Sequence, residues 1–244
     1  MSETDARAAR LALERTLDPD RLALPPGFAD AAERFVALLL DANRGMNLTR
    51  VVEPEAVGRL HLLDSLAALP IVDAIGPRRA LDLGSGGGVP GLVLAIARPD
   101  VAWTLVDSVR KKADVLRSFV AALGLPNVEV LAERAEIVGR EPARRESYDL
   151  VTARACAALP VLVEYALPLT AVGGALLAWK GRLADAELDA GRSAARLLGG
   201  DAPAVRPTGF AELGDHRFVV VPKSRPTPDT YPRRPGEPAR RPLA

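Results

Sequence analysis

Apolar positions along the chain change period twice, which separates a helical beginning, an alternating middle and a proline-rich end, with no fixed-period repeat. In the first block Phe28, Ala31, Ala32, Phe35, Leu38 and Leu39 recur at helical spacing, and Gly45 stands where a left-handed terminating residue is expected. A second helix is predicted from Pro54, favoured in a first turn, with Val57, Leu60, Leu63 and Ala67 on one side until Pro70 stops it. A weaker helix covers 5–16. From Arg79 onward, short apolar runs ending in Gly or Asp alternate with helical stretches, as buried parallel strands and crossover helices do. Strands are expected at 79–83, 102–107, 128–131, 148–153 and 174–180, with helices at 90–97, 109–123 and 158–170. Right-handed crossovers then force a doubly wound α/β sheet. A last strand, 217–221, pairs with a weaker one around 203–208. Residues 222–244 hold seven prolines, so an extended segment is expected there rather than a helix or a central strand. These changes divide the chain into a helical extension (1–72), an α/β domain (73–222) and a tail (223–244).

Composition narrows the class. A chain of 244 residues, 48% of them hydrophobic, can bury a full core. The single cysteine, Cys156, excludes an internal disulfide framework, and neither a signal-type N-terminus nor a bilayer-length apolar run is read, so a cytoplasmic protein without a membrane partner is expected. Net charge is only +1, unlike a body whose charge alone announces a nucleic-acid binder. Its distribution is uneven: residues 1–72 are net −3 and residues 222–244 are net +4.

The candidate chemistry lies in Leu81-Asp82-Leu83-Gly84-Ser85-Gly86-Gly87-Gly88-Val89-Pro90-Gly91, a loop that follows a strand and opens a helix. Gly84, Gly86 and Gly88 let a ligand press against bare backbone. Two cofactor classes compete for it. Read from Gly86 to Gly91 it fits the dinucleotide fingerprint, with Asp107 about 20 residues on for the ribose. Read as Asp82-x-Gly84-x-Gly86-x-Gly88 it resembles the first motif of class I methyltransferases. The second reading is preferred, because Asp82 would repel a pyrophosphate but suits the cationic sulfonium and amino groups of S-adenosyl-L-methionine. Asp107 can accept hydrogen bonds from both ribose hydroxyls in either case. An ordinary strand-turn-helix is the bland alternative.

Several motifs around the loop carry a more specific resemblance: Asn47-Leu48-Thr49, His61-Leu62-Leu63-Asp64-Ser65, Val106-Asp107-Ser108 with Arg110-Lys111-Lys112, Thr152-Ala153-Arg154-Ala155, Trp179-Lys180-Gly181, and Thr227-Pro228-Asp229-Thr230-Tyr231-Pro232-Arg233-Arg234-Pro235-Gly236. With these the chain resembles the bacterial 16S ribosomal RNA guanine-N7 methyltransferases, the RsmG or GidB family. The resemblance implies a class I S-adenosylmethionine-dependent, Rossmann-like seven-stranded sheet with an N-terminal helical extension. It implies methylation of guanine 527 in the 530 loop of 16S rRNA, by a monomer acting on the small ribosomal subunit. Gly84 and Val89 would border the cofactor, Ala135 and Glu136 would sit by the adenine, and Arg154 would line the site. The family usually has Trp and Lys, or Ala-Tyr, before Asn-Leu-Thr, where this chain has Ala42-Asn43-Arg44-Gly45-Met46. Asp229 and Thr230 replace common lysines, which weakens the tail's charge.

Guanine N7 has an in-plane lone pair and no proton, so it can attack the sulfonium methyl in line without a general base, and no metal is expected. Alignment and tolerance of the growing purine charge are what the protein must supply. An Asn or Asp-Pro-Pro-aromatic motif, which amine methyltransferases carry after the fourth strand, is replaced here by Thr152-Ala153-Arg154-Ala155. Cys156, in an Ala-rich stretch, reads as a core cysteine rather than the nucleophile of a cytosine-C5 enzyme. Arg154 is the candidate for substrate contact through guanine O6 or a phosphate, the alternative being a salt bridge with Asp149 or Glu136. His61 and Asp64, three apart on one helix face, are close enough to bond each other, or else meet RNA. Arg110, Lys111 and Lys112 meet phosphates or form a solvated face. Lys180 is a further phosphate candidate. Arg233, Arg234, Arg240 and Arg241 on an extended tail could reach RNA phosphates, the alternative being proline-rich disorder. Two rivals remain: a nicotinamide-dependent oxidoreductase, and a ribosome-binding protein using the cofactor fold without catalysis.

Overall fold

In the computed structural model, which describes residues 2–17 and 22–243, seven strands form one sheet. They are β1 (Arg79–Leu83), β2 (Ala102–Val106), β3 (Val128–Leu131), β4 (Tyr148–Arg154), β5 (Thr170–Lys180), β6 (Ala204–Pro207) and β7 (Arg217–Pro222). Their order is β3-β2-β1-β4-β5-β7-β6. The first five are parallel, and β7 runs antiparallel to both β5 and β6. From β1 the chain winds outward to β3, then returns to lay β4 on the other side of β1. That reversal opens a crevice at the carboxyl ends of β1 and β4, where doubly wound sheets bind ligands. All seven strands coincide with the apolar runs. β5 begins four residues early, because its register against β4 shifts between Tyr148 and Leu150 and Gly173 turns with φ 93°, a break that reads in sequence as a strand end.

The helices depart further from expectation. α1 (Ser2–Thr16) and α2 (Phe28–Met46) occupy the predicted segments, but Gly45 lies inside α2, and the left-handed residue is Asn47 at φ 48°. The stretch after Pro54 is not one helix. Glu53 caps α3 (Pro54–Val57), the chain widens into a π-helical turn over Gly58–Leu63, and α4 (Asp64–Leu66) follows. Pro70 then opens α5 (Leu69–Ile75) instead of closing its predecessor, since a first-turn proline lacks only an N–H that would be unpaired anyway. α6 (Gly91–Ala97) and α7 (Arg110–Leu123) fall where expected, with Gly124 left-handed after α7. The four-residue α8 (Ala135–Val138) was not expected. α9 (Leu159–Ala166) stops before Pro168, four residues short of its predicted end. α10 (Asp185–Leu197) was also not expected; its buried face of Gly191, Ala194 and Ala195 has too little apolar bulk to announce itself. The tail is extended apart from one turn, α11 (Glu237–Arg240), with Pro238 in its first turn; residue 244 lies outside the described residues.

The N-terminal helices share a core with one face of the sheet. Phe35, Leu39, Leu62 and Leu66 pack in the same cluster as Leu92, Leu94, Trp103 and Leu105, and Phe35 meets Phe119 of α7 edge to face at 6.2 Å. On the other face, α9 and α10 cover Leu81, Val151, Leu176 and Val219. No described helix is long and apolar enough to cross a membrane.

The packing of α1 on the π-helical turn depends on Gly58. A Cβ there would lie 2.4 Å from the Ala9 carbonyl oxygen and 3.0 Å from the Ala12 Cβ. Gly58→Ala is therefore expected to lower stability in urea titrations by about 1–3 kcal/mol, the usual cost of overpacking, despite the better helix propensity of alanine. An unchanged midpoint would show that α1 is not seated this closely.

Candidate active site

Two cavities open at the carboxyl ends of the strands and meet at Ala155 and Cys156. The first, of about 290 Å³, is walled by Leu83 and Gly84 after β1, Asp107 and Val109 after β2, Glu133 to Glu136 after β3, and Tyr165 of α9. The Asp107 carboxylate is held by backbone: Oδ2 accepts from Gly86 N at 2.9 Å and Oδ1 from Val109 N at 2.8 Å. Each oxygen keeps a lone pair for a ligand hydroxyl. Gly84 turns at φ 67°, and a Cβ on it would strike Cys156 Sγ at 2.4 Å, so only glycine lets the cavity floor come this close.

Of the residues expected at the cofactor, Gly84, Asp107, Ala135 and Glu136 line this cavity. Asp82, Gly86, Gly88 and Val89 do not. Asp82 is fully buried between strands: its Oδ1 accepts from Thr152 Oγ1 at 2.7 Å, and Oδ2 lies against Gly91 with no hydrogen-bond partner among the described residues. Burial pushes its carboxyl up to about 6, opposed chiefly by the Thr152 hydrogen bond. Asp82 thus lies a layer of protein behind the first cavity and not on its wall. Gly88 packs under Leu92 and Phe35, and Val89 leans on the N-terminal core, so both serve helix packing.

The second cavity, of about 510 Å³, is lined by Arg50, Leu60, His61, Asp64, Arg154, Trp179, Lys180 and His216, among others. Arg154 belongs here and not to the first cavity. Its partner is neither Asp149 nor Glu136: Nη1 donates to Asp64 Oδ2 at 3.1 Å and to the Leu60 carbonyl at 2.7 Å. Asp64, 1% exposed, also faces His216 Nδ1 at 2.9 Å through Oδ1, and its backbone oxygen accepts from Trp179 Nε1. His61 and Asp64 do not bond each other. His61 contacts Thr49 Oγ1 through Nε2 at 2.9 Å and Arg154 Nη2 through Nδ1 at 3.4 Å. Burial, then the Arg154 charge, pushes His61 down to about 4, so its ring is neutral. Arg50, Trp179 and His216 were not picked out as site residues, because they come from a loop, a strand end and a strand start whose convergence only the sheet creates.

The remaining basic candidates divide. Arg110 and Lys111 are exposed, Lys112 edges the first cavity, and Arg234 is exposed. Lys180 is engaged internally by Glu187 at 2.7 Å and the Ala157 carbonyl. Arg233 is not free for phosphate: its guanidinium and backbone N–H bind Glu164, which is wholly buried on α9. Cys156 is exposed and not the core residue its Ala-rich stretch suggests; its thiol donates to the Leu83 carbonyl, and desolvation of the sulfur, then the Asp82 and Asp107 charges, push it up to about 12. That removes it as a nucleophile near neutral pH.

The first cavity, where Asp107, Glu133 and Glu136 outnumber Lys112 and the Glu136-paired Arg134 and Asp82 lies behind, suits a cationic nucleoside better than a pyrophosphate. Solved structures with the same fold include a protein of Methanococcus maripaludis described as an S-adenosyl-L-methionine-dependent methyltransferase, with TM-score 0.54 and 12% identity, covering 67% of this chain and 86% of that one. The CurJ carbon methyltransferase also shares it, with TM-score 0.54 and 15% identity over 91% and 68%. The architecture is that of the class I S-adenosylmethionine-dependent methyltransferases. Residues 29–208 match the family model GidB, rRNA small subunit methyltransferase G. A ribosomal RNA small subunit methyltransferase G of Deinococcus radiodurans is 46% identical over 97% of this chain and 93% of its own length, and one of Moorella thermoacetica is 40% identical over 93% and 92%. The chain belongs to the GidB family, and S-adenosylmethionine is its cofactor. The nicotinamide alternative falls.

Asp82 and His61 make opposite pH predictions. Folding raises the Asp82 carboxyl from 3.8 to about 6, so its contribution is present at pH 4 and lost as pH climbs to 6. Folding lowers His61 from 6.5 to about 4, so its contribution is lost as pH falls over nearly the same window. Each effect is about 3 kcal/mol. In chemical denaturation between pH 4 and 6.5, Asp82→Asn should gain stability with pH more steeply than wild type, and His61→Gln should lose it. Parallel curves for all three proteins would contradict both assignments.

Proposed function

We propose that the chain transfers a methyl group to N7 of a guanine in 16S rRNA, nucleotide 527 in the 530 loop, acting as a monomer on the small ribosomal subunit. One observation carries this reading: a carboxylate-walled cofactor cavity joins, at Ala155 and Cys156, a cavity lined by arginine, lysine and tryptophan in which the buried bases are already engaged. Asp64 is paired with Arg154 and His216, and His61 is neutral and engaged at both nitrogens. Such a site suits a nucleophile that has no proton to lose. The name shared by the curated relatives supports a ribosomal RNA substrate.

When bound, S-adenosylmethionine supplies an electrophilic methyl whose bond to sulfur breaks as guanine N7 forms its own, so no proton moves. Asp107, Glu136 and the Gly84 backbone would hold the nucleoside part of the cofactor. Asp82, close behind the loop, lends negative potential to a cationic ligand without touching it. Arg154 is fixed by Asp64 and Leu60 with guanidinium donors left over, which suit guanine O6 or a phosphate. Trp179, pinned by its N–H to Asp64, offers an apolar face beside it. The neutral His61 beside Arg154 keeps a second positive charge away from a purine that becomes cationic.

Purified protein incubated with small subunits from an unmethylated strain and a labelled methyl donor should label one guanine, located by mass spectrometry. Label on another nucleotide, or none, would overturn the proposal. Within it, Asp107→Ala should weaken S-adenosylhomocysteine in calorimetry by about tenfold, while Arg154→Ala should leave that affinity unchanged and lower kcat/KM for subunits by about 10- to 100-fold, the range of a charged hydrogen bond. Equal loss of cofactor in both variants would contradict the division of labour between the cavities.

A further inference from the structure

Arg234, Arg240 and Arg241 of the tail are exposed, while its remaining contacts run inward. Arg145 donates to the carbonyls of Thr227 at 2.8 Å and Tyr231 at 2.8 Å, so the chain is drawn across the end of α8. There Pro232 lies against Gly139, where a Cβ would come within 3.2 Å of the proline ring. Arg233 then locks onto Glu164 of α9 through its backbone N–H at 2.9 Å and its guanidinium. Three residues later Gly236 N donates to Glu136 Oε1 at 2.7 Å. α8 and α9 are the two elements that carry Ala135, Glu136 and Tyr165 into the cofactor cavity.

Glu136 is therefore shared. Its side chain is 3% exposed; Oε1 takes Gly236 N and, at 3.2 Å, Arg134 Nη2, while Oε2 makes no hydrogen bond among the described residues. A nearly buried carboxylate with one oxygen spoken for is held in a single orientation, and the remaining oxygen can only accept. We propose that residues 227–240 form a positioning element of the cofactor site, holding Glu136 and Tyr165 so that the free Glu136 oxygen receives an N–H or O–H donor of S-adenosylmethionine. The tail touches no cofactor atom in this scheme; it acts through Glu136. Binding free energies are reciprocal, so a tail that tightens the cofactor must itself be tightened by the cofactor. This inference stands apart from which nucleotide is methylated, because it concerns cofactor binding alone.

Two measurements on the full chain test it. Hydrogen exchange followed by mass spectrometry, with and without S-adenosylhomocysteine, should show amides in 227–240 slowed threefold or more by the ligand. Calorimetry should show Kd for S-adenosylhomocysteine raised about tenfold in the double variant Glu164→Gln, Arg233→Gln, which removes the tail's ion pair without stranding a buried charge. Arg145→Met, which frees the tail's carbonyls from a different side, should give a rise in the same direction. The thermal midpoint without ligand should move little in whichever of these folds, which separates positioning from general instability. Exchange in the tail indifferent to ligand, or a Kd within twofold of wild type in the variants, overturns the proposal.

Discussion

The Asp64 carboxylate organises much of what surrounds the second cavity. It is almost wholly buried, it belongs to the N-terminal helical region, and its partners are Arg154 at the end of β4 and His216 before β7. A charge in that position is tolerable only when paired and hydrogen-bonded; stranding it by removal of one partner typically costs about 3–5 kcal/mol. The requirement runs both ways. It fixes the Arg154 guanidinium over the cavity, and it makes the helical region an integral wall of the site and not an appendage, since Trp179 of β5 also donates to the Asp64 backbone. The π-helical turn just before Asp64 sets the helix phase at this point, with His61 at Arg154 and Ser65 Oγ returning to the His61 carbonyl.

Electrostatics divide the two cavities. Carboxylates outnumber Lys112 and Arg134 around the first cavity, and Asp82 lies behind it, its carboxyl raised by burial. Arg50, Arg154 and Lys180 line the second cavity, and Arg154 and Lys180 there are held by an acid on a different element, Asp64 and Glu187 respectively. Cations fixed in this way can address an anionic polymer without collapsing onto the neighbouring carboxylates.

Residues local to strand ends were legible in the sequence. Gly84 and Asp107 follow from the glycine loop and the acid at the next strand end, whereas Ala135 and Glu136 came only from the family resemblance; all four line the first cavity. What was not legible depends on long-range pairing. Asp64 and Arg154 are 90 residues apart, and three-residue spacing made His61 the obvious partner for Asp64. The same spacing argument cannot foresee a π-turn, which rotates the helix face after Gly58. Arg233 looked like a phosphate ligand because composition shows charge but hides Glu164, an acid in the middle of an apolar helix. α10 escaped notice because alanine and glycine carry its buried face.

The wall shared by the two cavities carries a local strain. Ala155, directly after β4, adopts φ 54°, a left-handed conformation uncommon for a residue with a Cβ. That turn swings Cys156 back toward β1, where its thiol donates to the Leu83 carbonyl beneath Gly84. An ordinary extended residue at 155 would carry the chain away from β1 and leave that carbonyl open. A side chain at 84 would collide with the sulfur. A left-handed alanine, a thiol and a glycine thus meet where the two cavities share a wall. The cysteine that the sequence reads as a core residue is exposed, and its thiol instead ties the chain after β4 to the end of β1.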